Sequence, residues 1–296
     1  MSVDSTLAPS AIGDLIGAFK PLWVRRLQEE IDDRIANVTT VLNEYGFDGY
    51  GLSPLQLRQG ALFGALLYRY YFRCETYGIE NVPDGPFLLI SNHAGQLPFD
   101  GMMLTTAMLL EATPPRIVRG MAEYYVSELP FVSVAAARGG SLTGTPRNCI
   151  NLLKAGEVVM AFPEGARGMN KPFTQRYKLQ RFGLGFMRLA LEAGVPIVPV
   201  SIVGSEEQQP GITNLRKLGK ALGAPAMPIT LTFPWLGPLG LLPMPTKYHM
   251  YFHDPMHFEG DPNDEDAKII DQVDQVRAVI EEGFQRGLRE RNGVFS

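Results

Sequence analysis

The chain has 296 residues, 45% of them hydrophobic, which suits one large α/β domain with helical additions and a single packed core. Its formal net charge of -4 argues against general nucleic-acid binding, because nucleic acids select basic surfaces. The two cysteines, Cys74 and Cys149, lie far apart without a Cys-x-x-Cys motif, so neither a disulfide framework nor a zinc knuckle is expected. We recognise no secretory signal, and a reducing compartment fits best.

The pattern of the first 75 residues predicts a helical N-terminal segment, followed by an α/β domain over residues 76–296. Apolar residues at helical spacing predict an amphipathic helix from Pro21 to about Tyr45. A second helix is predicted from Ser53, where a capping box precedes a proline at the first helical position, to about Arg73. Tyrosines and arginines beside its apolar face suit a membrane interface, although the same face could equally pack on the protein's own core.

Strands and helices alternate beyond this segment, which predicts a largely parallel or mixed central sheet flanked by helices, with functional loops at the carboxyl ends of strands. Strands are predicted at residues 87–90, 116–120, 132–136, 158–162, 197–202, 229–233 and 248–252. Helices are predicted at residues 98–111, 121–128, 145–155 and 182–193, and from about residue 264. Gly156 and Gly194 occupy positions that are typical of helix C-caps.

Two polar segments follow predicted strands and carry candidate chemistry. The segment Ser91–Asp100 holds His93, and Asp100 falls in the first turn of the next helix. A neutral imidazole can take a proton from an attacking group, and a nearby carboxylate can orient the ring and stabilise the imidazolium. The plainer alternative is a histidine that only ties down backbone and an aspartate that only serves the helix N-terminus. The second segment, Phe162–Arg167, lies at another strand end.

Together these segments resemble the glycerolipid acyltransferases, above all the lysophosphatidic acid acyltransferases. Members carry Asn-His with a following Asp, a strand-borne Arg, Phe-Pro-Glu-Gly-Thr-Arg and Val-Pro-Ile-Val-Pro-Val in that order. This chain carries, in the same order, Asn92-His93, Asp100, Arg138, Phe162–Arg167 and Val195–Val200. The resemblance covers roughly Tyr77 to Ser205, with weaker likeness to about Asp254.

The chain departs from the family pattern at two places. Six residues separate His93 from Asp100, where the family usually has four. The simplest interpretation is that the extra residues lengthen the loop before Pro98 and leave Asp100 able to fold back on His93. Ala166 replaces the usual Thr, which removes a hydroxyl from the second loop.

The resemblance implies transfer of a fatty acyl group from acyl-CoA or acyl-carrier protein to the hydroxyl of a lysophospholipid-like acceptor, first of all 1-acylglycerol-3-phosphate, in phospholipid biosynthesis. His93 would act as the general base, and Asp100 would orient it. The stretch from Glu164 to Arg181 has a formal charge of +4, and planar guanidinium groups suit an anionic acceptor. The expected substrate-binding residues are Arg138, Glu164, Gly165, Arg167, Lys171, Arg176 and Lys178.

The expected partners are the lysophospholipid, the acyl thioester, a membrane surface and, as one possible donor, acyl-carrier protein. We expect no nucleic acid, no metal and no cofactor beyond the thioester co-substrate. Related enzymes reach lipid through N-terminal helices, which implies peripheral attachment to the cytoplasmic face of a membrane. Two alternatives remain open: an acyltransferase for an acceptor without phosphate, such as an aminolipid or a neutral alcohol, and a catalytically silent lipid-binding protein.

Two further features of the sequence resemble functional elements. The uncharged run Pro225–Thr246 is long enough to span a membrane, but its six prolines exclude a regular helix there. We expect a strand followed by an apolar, proline-rich loop that packs normally, lines an acyl-chain cavity or touches lipid. His249, His253 and His257 resemble a metal trio, but the proline at position 255 interrupts any helix that would align them.

Overall fold

A central mixed sheet organises the computed structural model, which describes residues 21–38, 40–215, 219 and 227–296. The strands are β1 Glu75–Tyr77, β2 Leu88–Ser91, β3 Val118–Ala122, β4 Leu142–Thr143, β5 Val158–Ala161, β6 Ile197–Val203, β7 Gly211–Leu215, β8 Met227–Thr230 and β9 His249–Phe252. Seven of them form one sheet in the order β1-β9-β6-β2-β5-β3-β4, and β7 pairs with β8 in a separate antiparallel ribbon. Within the seven-stranded sheet only β6 and β9 are antiparallel neighbours, so the predicted fold class is confirmed.

Helices cover both faces of this sheet. They are α1 Leu22–Ala36, α2 Pro54–Leu66, α3 Phe99–Leu110, α4 Tyr124–Glu128, α5 Val132–Arg138, α6 Pro146–Lys154, α7 Ala166–Met169, α8 Gly185–Ala193 and α9 Asp266–Glu290, and a π-helical turn, Leu67–Tyr71, extends α2. The Thr145 side chain caps α6 by accepting the Asn148 N–H at 3.2 Å. Gly156 and Gly194 have φ angles of 88° and 64° just beyond α6 and at the end of α8, as their positions in the sequence predict.

Side chains alternate between the two faces of the sheet along each strand, so the core has two parts. In β2, Leu89 packs with α1, α2 and α3 on one face, whereas Leu88 and Ile90 pack with α6, α8 and α9 on the other. Successive side chains of a strand point to opposite faces, so a continuous apolar strand must be covered on both sides. The two helical layers therefore bury the central strands completely and leave their ends as the accessible edge.

Residues 132–136, predicted as a strand, instead form most of α5. An apolar run this short does not distinguish a strand from a helix by its periodicity. The three consecutive alanines at 135–137 favour a helix, and no residue of α5 is fully buried. A central parallel strand would have required burial on both faces. The prediction of a strand here was wrong.

The first helix is shorter than predicted and ends at Ala36 rather than near Tyr45. The Asn37 side chain donates to the Asp33 carbonyl at 2.8 Å, a local bond that competes with continued helix. The Asn43 side chain then accepts backbone N–H groups in a turn. The second helix begins where predicted, but the Ser53 side chain makes no capping hydrogen bond.

The N-terminal helices share the core of the sheet. Leu27 and Ile31 of α1 are buried in the same cluster as Leu89 of β2, as are Tyr68 and Phe72 at the end of the second helix. Side chains on both sides of the predicted boundary at residue 75 therefore pack together.

The face proposed to meet a membrane is only partly exposed. Leu67 and Tyr71 pack against the core, whereas Leu55, Phe63 and Tyr70 are each more than half exposed. Membrane contact at those three residues stays a prediction. Among the described residues, no helix combines the length and the apolar character needed to cross a bilayer.

Candidate active site

The sheet topology brings three loops to one edge. Strand β2 lies between β5 and β6 and is parallel to both. The carboxyl ends of parallel neighbours meet at the same edge of a sheet. His93 follows β2, Glu164 follows β5, and Glu206 follows β6. The two segments singled out in the sequence therefore meet, together with a third that was not.

His93 and Asp100 form a buried pair despite the lengthened loop between them. The Nδ1 atom of His93 lies 2.8 Å from Oδ2 of Asp100, which has no exposed surface. Asp100 also accepts the N–H groups of Ala94 and Gly101 at 2.8 and 2.7 Å. A carboxylate that accepts a hydrogen bond from Nδ1–H keeps the proton of a neutral imidazole on Nδ1. The lone pair of Nε2 is then free to act as a base. Phe162 stacks on the imidazole with ring centroids 4.1 Å apart and restricts its orientation.

The extra residues of this loop are held by two glutamines that follow β6. The side-chain oxygen of Gln209 accepts the N–H groups of Gln96 and Leu97, each at 3.1 Å. Gln208 donates to the Leu97 carbonyl at 3.3 Å. Gly95 has a φ of 79°, and a Cβ there would lie 2.0 Å from the Gln208 amide nitrogen, so glycine is required.

These glutamines are functional residues that our reasoning from the sequence missed. A signal was present, because the polar run at residues 205–209 follows the apolar strand β6 after a single glycine. The same pattern of a strand followed by polar residues had identified the other two loops.

Glu164 joins the second loop to the first. One carboxylate oxygen accepts the backbone N–H of His93 at 3.0 Å, and the other accepts that of Gln180 at 2.7 Å. The side chain is only 1% exposed. Gly165 after it has φ 56° and ψ -152°, a conformation that essentially only glycine adopts. A Cβ on Gly168 would lie 2.6 Å from the His93 carbonyl oxygen, so the loops approach closely.

Lys171 lies in a buried network instead of at the surface. Its ammonium group is 2.5 Å from Glu206 and 4.0 Å from Glu164, and it donates to the Lys178 carbonyl at 3.3 Å. Burial raises the pKa of Glu206 to about 7, against the opposing effect of the Lys171 charge. Two buried carboxylates therefore surround the Lys171 ammonium group, which favours positioning of Glu164 over contact with substrate. Substrate binding by Lys171 stays a prediction.

The other cations of the basic stretch are exposed, and two of them, Arg167 and Arg176, contact carbonyl groups. Arg167 donates to the Glu164 carbonyl at 3.4 Å and to the Arg181 carbonyl at 3.1 Å. The guanidinium of Arg176 lies over the Phe173 ring, 4.5 Å from its centroid. Within the described ranges, no ion pair links these arginines or Lys178 to a carboxylate. The stretch therefore presents uncompensated positive charge beside the His93 loop.

Arg138 lies away from these contacts. It ends the helix α5, donates to the Gly51 carbonyl at 3.2 Å, and stacks 3.8 Å above the ring centroid of Phe47. It is carried by a helix, so the strand expected from the resemblance is absent at this position. Its contacts join α5 to the N-terminal segment, and its role in substrate binding stays a prediction.

Two of the three histidines near the C-terminus have separate partners. His249 lies 3.4 Å from Glu75, and His253 lies 2.9 Å from the Ser201 hydroxyl. In the portion of the chain that the structure describes, no three His, Cys, Asp or Glu side chains are grouped as metal ligands.

Comparison with known proteins identifies the family of this chain. The family profile described as Acyltransferase matches residues 73–203. An uncharacterised protein of Mycobacterium tuberculosis is 38% identical over 259 residues, which cover 86% of this chain and 71% of the relative. A chicken protein named as a DGAT1/2-independent enzyme synthesizing storage lipids is 26% identical over 194 residues, covering 64% of this chain and 53% of the relative.

A solved structure shares the fold. The crystal structure of the 1-acyl-sn-glycerophosphate (LPA) acyltransferase PlsC from Thermotoga maritima matches with a TM-score of 0.51 and 22% identity, over 79% of this chain and 81% of that one. The resemblance inferred from the motifs is confirmed, and the chain belongs to the acyltransferase family.

Proposed function

We propose that this protein transfers a fatty acyl group from a thioester to the hydroxyl of a lysophospholipid-like acceptor, with 1-acylglycerol-3-phosphate as the first candidate. The observation that carries the proposal is the buried His93–Asp100 pair at 2.8 Å beside exposed cations that have no carboxylate partner among the described contacts. A general base and an anion-binding surface are the two elements that this reaction needs.

The chemistry follows from the orientation of the imidazole. Nε2 of His93 removes the acceptor hydroxyl proton as the oxygen attacks the thioester carbonyl, and Asp100 stabilises the resulting imidazolium through Nδ1–H. The tetrahedral intermediate collapses, the C–S bond breaks, and the leaving thiolate takes the proton from Nε2. A C–O ester bond replaces the C–S bond, so atoms and protons balance without a further reactant.

Direct transfer is favoured over an acyl-enzyme intermediate. Burial raises the pKa of the Cys149 thiol to about 11 and that of Cys74 well above its usual value, so neither supplies a thiolate at neutral pH. The Ser91 hydroxyl is buried, 3.4 Å from the Asn92 side-chain oxygen. Intact-mass measurement after mixing with donor alone should show unmodified protein. A stoichiometric acyl adduct would contradict direct transfer.

The acceptor phosphate is assigned to Arg167 with the neighbouring exposed cations. A guanidinium group can hold a phosphate through two parallel hydrogen bonds, and the carbonyl contacts of Arg167 leave its charge uncompensated. Each carboxylate oxygen of Glu164 accepts one backbone N–H group, which supports a role in fixing the loops.

An acceptor without phosphate is the second candidate, because the chicken relative is named for the synthesis of storage lipids. The deciding experiment is an assay of the purified protein with acyl-CoA and acyl-carrier protein donors against a panel of lysolipids, read by mass spectrometry. Preferential acylation of phosphate-bearing acceptors is expected. Equal use of acceptors lacking phosphate would favour the second candidate, and binding of lipid without transfer would favour a silent lipid-binding protein.

A further inference from the structure

The connection between β8 and β9 exposes an unusual concentration of apolar side chains. We call residues 231–242 the apolar loop. Its large exposed apolar side chains are Leu231 (63%), Trp235 (73%), Leu236 (59%), Leu239 (69%) and Leu242 (62%). Single exposed leucines are ordinary on protein surfaces, but five large apolar side chains on one twelve-residue loop are typical of a contact surface.

The charge of the surrounding sequence is one-sided. From Gln208 to His253 the sequence has no aspartate or glutamate, and the four charged residues are basic, whereas the whole chain has a net charge of -4. These residues are Arg216, Lys217, Lys220 and Lys247. The first three lie outside the described residues and enter this argument through the sequence alone. Lys247 forms an ion pair with Glu75 at 2.7 Å. Residues 216–220 therefore supply three positive charges and no negative one to the sequence before the apolar loop, a composition that complements an anionic surface.

The apolar loop satisfies much of its own backbone. The N–H groups of Thr230, Leu236, Gly237 and Leu242 donate to carbonyls within the loop or at its start, at 2.8 to 3.2 Å. The Thr232 hydroxyl donates to the Gly240 carbonyl at 2.8 Å, and the prolines at 234 and 238 have no N–H to satisfy. Internal hydrogen bonding lowers the cost of moving a loop out of water, because unpaired backbone groups are expensive in an apolar phase.

The loop is also joined to the candidate active site. Gln209, whose side-chain oxygen accepts the N–H groups of Gln96 and Leu97 in the His93 loop, donates from its amide nitrogen to the Leu241 carbonyl. One side chain therefore bridges the exposed apolar loop and the segment that carries the proposed base.

We propose that the apolar loop inserts into the interface of an anionic bilayer and brings the His93 loop to the surface from which a lipid acceptor would come. Tryptophan at the headgroup level with leucines beside it is the usual composition of an interfacial contact. The loop itself has no charged group with which to select a protein partner. Contact of the apolar loop with a bilayer does not depend on the proposed acyl transfer. Delivery of an acceptor to His93 rests on that proposed function.

The two tryptophans of the chain supply a matched pair of probes. Trp23→Phe leaves Trp235 as the one indole, and Trp235→Phe leaves Trp23. We expect vesicles of phosphatidylglycerol and phosphatidylcholine to shift the emission of the Trp23→Phe protein to the blue, and brominated acyl chains to quench it. Trp23 packs against Tyr70 with ring centroids 5.3 Å apart, so its emission in the Trp235→Phe protein reports separately on the N-terminal helices.

A binding measurement tests the leucines. Leu236→Ser with Leu239→Ser should weaken vesicle affinity by at least about tenfold, because serine lacks the favourable free energy of transfer of leucine from water to an apolar phase. The matched control, Tyr124→Ser with Val134→Ser, removes apolar side chains that are 64% and 56% exposed from a second apolar surface on α4 and α5. It should change affinity by less than about threefold if the apolar loop is the surface that enters the bilayer. Thermal melting of both variants verifies the fold.

Binding is measured without donor or acceptor turnover, so failure of the proposed reaction would not affect it. The inference is overturned if Trp235 is neither shifted nor quenched by anionic vesicles, or if both double variants bind as tightly as wild type. A blue shift of Trp235 with acyl-carrier protein but not with vesicles would equally overturn it, in favour of an acidic protein partner.

Discussion

The His93 loop and the basic stretch that follows Glu164 lie beside each other but are built differently. In the His93 loop, side chains are buried and bonded to one another: Asp100 holds the imidazole, and Glu164 holds the backbone of His93. In the basic stretch, Arg167 and Arg176 are exposed and donate only to carbonyls. The proposed function therefore assigns chemistry that requires fixed geometry to the first region, and recognition of a charged ligand to the second.

Removal of the imidazole should have the largest effect. His93→Ala is expected to lower turnover by roughly 10²-fold to 10⁴-fold, the usual contribution of a general base, with the thermal unfolding transition retained. His257→Ala, which changes an exposed histidine, is the matched control and should leave turnover unchanged. Near-wild-type transfer by folded His93→Ala protein would remove the catalytic role and favour the silent lipid-binding alternative.

Loss of the buried carboxylate charge should have the next largest effect. Asp100→Asn keeps the shape of the side chain but cannot stabilise an imidazolium, so we expect kcat to fall by about a hundredfold. Asp271→Asn on the exposed face of α9 serves as the control. If Asp100→Asn were fully active, Asp100 would only cap the N-terminus of α3 and the contrast between the two regions would weaken.

The basic stretch should affect acceptor choice and have less influence on the chemical step. A hydrogen bond to a charged group contributes about 1.5 to 3 kcal/mol, so Arg167→Ala should lower kcat/KM for phosphate-bearing acceptors by roughly tenfold to a hundredfold. Arg167→Lys should restore only part of this, because an ammonium lacks the two-pronged guanidinium geometry. The apparent KM for the donor should change much less.

Matched lyso acceptors that bear or lack phosphate provide the measurement, and Lys154→Ala, an exposed cation at the end of α6, is the control. Equal depression of both acceptors by Arg167→Ala would make Arg167 a residue that orders the loop through its carbonyl contacts. The acceptor without phosphate would then become the preferred candidate.

Lys171 and Glu206 are the exception to the contrast, and the effect expected of them is on stability. Because burial raises the pKa of Glu206 from 4.5 to about 7, the folded protein binds this proton more tightly than the unfolded chain. The free energy of unfolding should therefore fall as pH rises from about 4.5 to 7, by at most about 3 kcal/mol from this group. Glu206→Gln should flatten that part of the pH profile.

Urea unfolding at pH 5 and pH 8 measures this slope, with the exposed Glu192→Gln as control. Identical slopes for wild type and Glu206→Gln would show that Glu206 stays ionised beside Lys171 throughout. The buried network would then be a simple ion pair.

Some of the site could be predicted because its determinants are local. The apolar run of β2 followed by polar residues indicated a strand with a functional loop, and so did β5 before Glu164. Gly165 was identified through the family motif, and the structure shows that its backbone conformation requires glycine. By contrast, the strand predicted at residues 132–136 was wrong, because a short apolar run does not reveal whether its surroundings will bury it.

The sequence by itself determined the fold class, the strand ends that carry His93 and Glu164, and the family to which the chain belongs, because periodicity and motif spacing are written along the chain. The tertiary structure alone decided that Asp100 reaches His93 across a lengthened loop, that Gln208 and Gln209 hold that loop, and that the Lys171 charge is buried. The Asp100 contact spans only seven positions and depends on the path of the loop. The Gln208 and Gln209 contacts join residues more than a hundred positions apart, and they exist only after β6 has been placed beside β2.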